Sequence, residues 1–173
     1  MIVYVMRHAE AVEESDSLKD EWRYLTENGR SSAEKVSSAI AKIGRKARLT
    51  ITSPLTRAVQ TAEIVTEKAG IKKMVVASEL LLPGAGIDAL VTHLKNCKDD
   101  KRVMLVGHEP QLGSLVAILL GHGDEQISLK KGACVALELD PDKAEPARFL
   151  RYLVPGKKKI SSLKKAFPQN SMV

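Results

Sequence analysis

Short apolar, β-branched runs alternate along this chain with longer stretches of helical period. Ile2-Val3-Tyr4-Val5-Met6 has the continuous apolar character of a strand buried on both faces. After a polar stretch, Thr26 is placed to cap a helix over 28–43, in which Ala33, Val36, Ile40 and Ile43 share one face and Gly44 provides the stop. Leu49-Thr50-Ile51-Thr52 predicts a second strand. Ser53-Pro54 then reads as a cap and first-turn proline for a helix whose inner stripe is Leu55, Ala58, Ala62, Val65 and Ala69, closed by Gly70. A third strand is expected at Met74-Val75-Val76-Ala77, and a loop with Pro83, Gly84 and Gly86 leads to a helix turning Ile87, Leu90, Val91 and Leu94 inward. Val103-Met104-Leu105-Val106 forms a fourth strand ending at Gly107-His108, before a very apolar helix over 111–120. Two further strands, over 133–139 and 147–154, have no helix between them and should pair antiparallel around Asp140-Pro141-Asp142. The pattern predicts an α/β fold of three layers, with a mostly parallel central sheet, helices on both faces and late antiparallel edge strands.

Length and composition narrow the picture. The 173 residues, 44% apolar and 28% charged, suit a single globular domain, expected over 1–155. The net charge of +6 is unevenly spread: Lys157, Lys158, Lys159, Lys164 and Lys165 lie beyond Gly156, where there is no acidic residue. Setting those five aside from the 27 basic residues leaves 22 against 21 acidic ones. The segment 156–173 therefore reads as a basic, flexible C-terminal tail. With a near-neutral body and only 3% aromatics, a nucleic-acid partner is not expected. Two distant cysteines, Cys97 and Cys134, suit a reducing compartment. No apolar run is long enough for a membrane span, and the opening run lacks the basic start of a signal peptide. A cytoplasmic monomer with no membrane partner is the expectation.

Candidate chemistry gathers where strands end. In open α/β sheets, ligands bind beyond the carboxyl ends of the strands. The first strand runs into Arg7-His8, the second into Ser53-Pro54 with Arg57 one turn on, and the fourth into Gly107-His108. Two guanidinium groups offer forked donors matched to a tetrahedral oxyanion, and two imidazoles can supply a nucleophile and a further donor. Such a cationic set, without a thiol, calls for a phosphoryl group. A metal held by His8, His108 and Glu109 is a poor alternative, because two nearby arginines repel a cation.

These residues stand in motifs that resemble those of the histidine phosphatase superfamily, the phosphoglycerate mutase-like fold. Met6-Arg7-His8-Ala9 is similar to its Arg-His-Gly signature, and Leu25-Thr26-Glu27-Asn28-Gly29-Arg30 to its leucine-threonine-x-x-glycine helix start. The stretch from Ser53 to Ala62, which includes Arg57, Gln60 and Thr61, resembles its serine-x-leucine-x-arginine-alanine-x-glutamine-threonine-alanine motif. Val106-Gly107-His108 is similar to its second-histidine motif, and the overall length is most like that of the small SixA-type phosphohistidine phosphatases.

The resemblance implies that His8 attacks phosphorus and is transiently phosphorylated, while Arg7, Arg57 and His108 bind the phosphate oxygens. It implies no cofactor and no metal. It points to a phosphorylated protein carrying phosphohistidine as substrate, with a small phosphate ester as the alternative and a non-catalytic phosphate-binding module as a second one. Two positions depart from the family pattern. Ala9 replaces the signature glycine, so positive φ is not expected there. Where larger members carry a glutamate as general acid, this chain has Leu80-Leu81-Leu82-Pro83. An alkoxide needs a proton on departure, whereas an imidazole protonated at its far nitrogen leaves readily, so this loss favours a phosphoramidate. Glu10, Glu13, Glu14, Asp16 and Asp20 are the candidate replacements on the adjacent loop. His93 and His122 read as structural, Ser53 as a cap, and Trp22 and Tyr24 either as the frame of the pocket mouth or as ordinary packing.

Overall fold

The computed structural model describes residues 1–71, 75–123, 125 and 127–168. Six strands form one sheet: β1 (Ile2–Arg7), β2 (Leu49–Thr52), β3 (Val75–Ala77), β4 (Arg102–Gly107), β5 (Cys134–Glu138) and β6 (Arg148–Leu153). Their order is β3-β2-β4-β1-β5-β6. The first four run parallel, with Ile2 opposite Arg102 and Thr52 opposite Val106, while β5 is antiparallel to β1 and β6 to β5. The expected mixed sheet is therefore present, including the antiparallel pair at its late edge. Met74, expected to open β3, lies outside the described residues.

Alternation along β1 explains the two cores. Val3 and Val5 face one side, with Val103, Leu105, Val135 and Leu137, against α3 (Ile87–Asn96) and α4 (Gln111–Leu119). Ile2, Tyr4 and Met6 face the other, with Met104, Val106 and Ala136, against α1 (Glu27–Ile43) and α2 (Thr56–Lys68). Burying each large apolar side chain contributes about 1.5–3 kcal/mol, so a strand filled on both faces anchors whatever follows it.

Helix α1 starts as expected, with the Gly29 amide donating to Thr26 Oγ1 at 3.0 Å, and it ends at Gly44 with φ 73°. Gly29 has a steric role too: a Cβ there would lie 2.0 Å from the Glu10 carbonyl oxygen. The absence of that Cβ lets the loop after β1 lie against the first turn of α1.

Two local expectations are corrected. The second helix begins at Thr56, and Ser53-Pro54 lies before it. Ser53 instead prolongs β2, its amide donating to the Val106 carbonyl, and its hydroxyl is drawn into the site described below. The basic segment after Pro155 folds back over part of its length. Ile160 bridges to Tyr152, a short α5 covers Leu163–Ala166, and Phe167 is buried against Phe149 and Tyr152. Apolar burial of Ile160, Leu163 and Phe167 outweighs the solvation preference of the lysines between them.

Candidate active site

Three neighbouring strands, β2, β4 and β1, deliver the four candidate residues to one end of the sheet. The His8 amide donates to the Gly107 carbonyl at 3.0 Å, which locks the end of β1 to that of β4. His8 and His108 then stand with ring centroids 5.0 Å apart. Both rings are buried, with 8% and 3% exposure, and Arg57 at 5% joins them from the first turn of α2. Gln60 and Thr61 on the same helix hold the surrounding loop, since Gln60 Oε1 accepts from the Leu25 amide and Thr61 Oγ1 from the Ala9 amide. Ala9 is fully buried and is not among the positive-φ residues, so the family glycine is replaced here without backbone strain.

A backbone hydrogen bond fixes the tautomer of His8, and a hydroxyl engages one nitrogen of His108. His8 Nδ1 lies 2.7 Å from its neighbour's carbonyl, Ala9 O, which can only accept, so Nδ1 carries the proton and Nε2 keeps its lone pair. His108 Nε2 lies 2.8 Å from Ser53 Oγ. That hydroxyl also accepts from the Leu55 amide, and it can either donate to Nε2 or accept from Nε2–H, so the bond occupies Nε2 of His108 in either tautomer and leaves Nδ1 outside it. Burial holds both imidazoles neutral, aided by the surrounding positive charge. His8 is pushed down to about 4 by desolvation, with Arg57, Arg7 and Lys131 adding to it against the Ala9 hydrogen bond. His108 is pushed down to about 3, again chiefly by desolvation and then by His8 and Arg57.

Each arginine spends part of its donor set on the protein. Arg7 Nη1 donates to the Leu129 carbonyl at 2.9 Å. Arg57 donates from Nη1 to the Asp20 carbonyl at 2.7 Å and from Nη2 to its carboxylate at 3.0 Å. The Nε atoms of both arginines are buried without a hydrogen-bond partner. Two planar cations thus have one edge satisfied and a second donor edge unspent, an arrangement suited to a tetrahedral oxyanion.

Asp20 is the residue whose role the sequence did not expose. It opens a 3-10 turn (Asp20–Trp22), and Arg23 holds its other oxygen at 3.0 Å. Burial alone would raise its carboxyl, but hydrogen bonds from Arg23 and Arg57 outweigh that and keep it below the usual range. Among the other candidate acids, Glu10 accepts from Thr26 and Asn28, Glu13 pairs with Arg23, and Glu14 and Asp16 are exposed. Glu109 is turned toward the start of α4, with Oε2 2.8 Å from where a Cβ on Gly113 would stand. Burial raises its carboxyl against the influence of the Leu129 and Gly113 backbone and of Arg7. Trp22 and Tyr24 are 64% and 49% exposed, so ordinary packing does not account for them. His122 pairs with Glu125, outside the site.

Comparison with known proteins bears on the family and the fold. The sequence model of the histidine phosphatase superfamily (branch 1) matches residues 3–81. An uncharacterized protein of Picosynechococcus is 31% identical over 140 residues, 79% of this chain and 84% of that protein. Among solved structures, the protein histidine phosphatase SixA complexed with tungstate superposes with a TM-score of 0.80 at 24% identity, over 90% of this chain and 97% of that one. The alpha-ribazole phosphatase of Shigella flexneri gives 0.69 at 16% identity, over 91% and 96%. With the motifs, the strand order and these likenesses in agreement, the chain belongs to the histidine phosphatase superfamily.

Proposed function

We propose that this chain is a phosphatase that removes phosphate from phosphohistidine on a protein, through transient phosphorylation of its own His8. The Nε2 lone pair of His8 attacks phosphorus as the P–N bond of the substrate breaks, and the electron pair leaves with the substrate imidazole. The free Nε edges of Arg7 and Arg57, with Nδ1 of His108, hold the equatorial oxygens as charge shifts among them. Water then attacks the phosphorylated His8, the P–Nε2 bond breaks, and inorganic phosphate departs with the proton lost by water. His8 is neutral at physiological pH, as a nucleophile must be, since its protonation falls near pH 4.

The observation that carries the substrate class is where the acids are. Leu80-Leu81-Leu82 stands where larger relatives place their general acid, with Leu81 fully buried, and each loop acid is either spent on another partner or exposed. A leaving group that needs no proton suits such a site. The exposed Trp22 and Tyr24 support a protein rather than a metabolite, because large aromatics are common anchors of protein contacts.

A competition of substrates tests the reading. Turnover of an N-phosphohistidine peptide is expected to exceed that of p-nitrophenyl phosphate, sugar phosphates and nucleotides in kcat/KM, and preference for the esters overturns the substrate class. Rapid quench should trap an acid-labile phosphoenzyme that His8→Ala does not form. A wild-type protein that never forms one, or an active His8→Ala, overturns the catalytic role.

A further inference from the structure

Positive charge collects a second time at the opposite end of the sheet. A cavity of about 450 Å³ opens where the end of α1 meets β1 and β6. Lys42 and Arg45 line it from the helix end, Arg148 and Arg151 from β6, and Tyr4 and Leu150 form part of its floor. Ile2 lies at this end of β1 and Arg7 at the other, about 16 Å away at the usual rise of an extended chain, so the two cationic regions are separate.

The charges here are poorly compensated. Glu138 pairs with Arg148 across the β5–β6 ladder. Among the described residues, no ion pair engages Lys42, Arg45 or Arg151, and Arg151 is half-buried. Arg45, Arg102 and Arg151 all act on the Tyr4 phenol, whose hydroxyl donates to the Arg45 carbonyl at 2.6 Å, and the Arg102 Nε is buried without a partner. Four cations lining one cavity against a single carboxylate repel one another, and a half-buried guanidinium without an anion bears a desolvation cost. Both penalties are relieved by a ligand bearing several negative charges. The cations come from two elements, the end of α1 and β6, so a ligand with several anionic groups can pair with more of them at once than a single phosphate can, and the cavity volume lies in the range of small-molecule sites, about 300–1,000 Å³.

We propose that this cavity is a second anion site, distinct from the phosphate-cleaving end of the sheet, which takes a compact phosphate chain of two or three groups, either free or as part of a nucleotide. Arg45 and Arg151 grip the chain from opposite walls, and Lys42 supplies further charge at the rim. The site is independent of the substrate proposed above.

Binding is measured with His8→Ala protein labelled with 15N, which removes turnover, and inorganic tripolyphosphate as the first probe. Saturable amide shifts are expected around 42–45 and 148–151, with affinity weakened at least about tenfold in R45E and in R151E. Arg45 lies outside regular secondary structure, so R45E tests the site even if R151E disturbs the strand. In the wild-type background, both substitutions should leave p-nitrophenyl phosphate hydrolysis unchanged. ATP binding as tightly as tripolyphosphate supports recognition of the chain alone, and tighter binding identifies a nucleotide as the ligand. Shifts confined to the ends of β1, β2 and β4, unchanged affinity in both charge reversals, absence of saturation, or AMP binding as tightly as ATP would each overturn the proposal.

Discussion

Replacing Asp20 tests whether the buried Arg57 owes its orientation to the anion paired with it. The guanidinium gives Nη1 to the Asp20 carbonyl and Nη2 to the carboxylate, and only the second contact depends on the side chain. A hydrogen bond between charged groups is worth about 1.5–3 kcal/mol. The Asp20 carboxylate is 41% exposed and shared with Arg23, so water screening reduces the contribution to about 1–1.5 kcal/mol. Loss of that contact in Asp20→Ala should therefore lower kcat by roughly tenfold, as Arg57 samples orientations that turn its Nε edge from the phosphate. Charge acts in the opposite direction. A carboxylate paired with Arg57 opposes an anion bound to the same guanidinium, and Arg23 offsets part of this. Asp20→Asn keeps an acceptor for Arg57 but removes the charge, so kcat should stay within about threefold of wild type while inhibition by product phosphate tightens severalfold. Initial rates with p-nitrophenyl phosphate, and phosphate inhibition constants for the three proteins, separate the two effects. Wild-type kcat in Asp20→Ala together with wild-type phosphate inhibition in Asp20→Asn would refute the assignment of both roles.

Other consequences can be measured directly. Since His8 and His108 titrate near 4 and 3 in the folded chain against 6.5 unfolded, the unfolded state binds more protons below pH 6.5, and stability should fall as pH drops from 6.5 toward 4. The slope approaches about 1.4 kcal/mol per pH unit for each histidine; urea unfolding at pH 7, 6 and 5 checks it, and a flat profile contradicts the burial argument. Ser53→Ala leaves His108 Nε2 without its hydroxyl and should lower kcat by about 5- to 50-fold, corresponding to 1–2.3 kcal/mol, with little change in melting temperature. Phe167→Ala should cost about 3 kcal/mol of unfolding free energy, because the ring is buried against Tyr152 and Phe149; a change below about 1 kcal/mol would mean that residues beyond Pro155 add little to the fold.

How much could be read beforehand depended on whether the signal was local. Residues 2–6 and 103–106 are buried on both faces, so their uninterrupted apolar character revealed strands, and His8 and His108 directly after them revealed the site. Arg57 was legible through the residues around it, and Gln60 and Thr61 in the same motif hold the neighbouring loop. Asp20 stood out only as one acid among several on its loop; its pairing with Arg57 was not legible, because the segment between β1 and α1 has no periodicity and the contact spans 37 positions. Ser53 before a proline carries a strong local cap signal, yet the tertiary partner His108 claims its hydroxyl. Beyond Pro155 the lysines obscured a usable pattern: Ile160, Leu163 and Phe167 recur at helical spacing, and that is the face packed on the core.

The bond from His8 Nδ1 to the Ala9 carbonyl has a stereochemical consequence for any phosphoryl group the ring receives. With the pros nitrogen engaged by backbone, only the tele nitrogen is open, and the adduct is a single regioisomer, 3-phosphohistidine. Antibodies that distinguish the two isomers would recognise the trapped enzyme with the tele-specific reagent and leave the pros-specific one blank. One main-chain oxygen thus acts as a protecting group built into the fold.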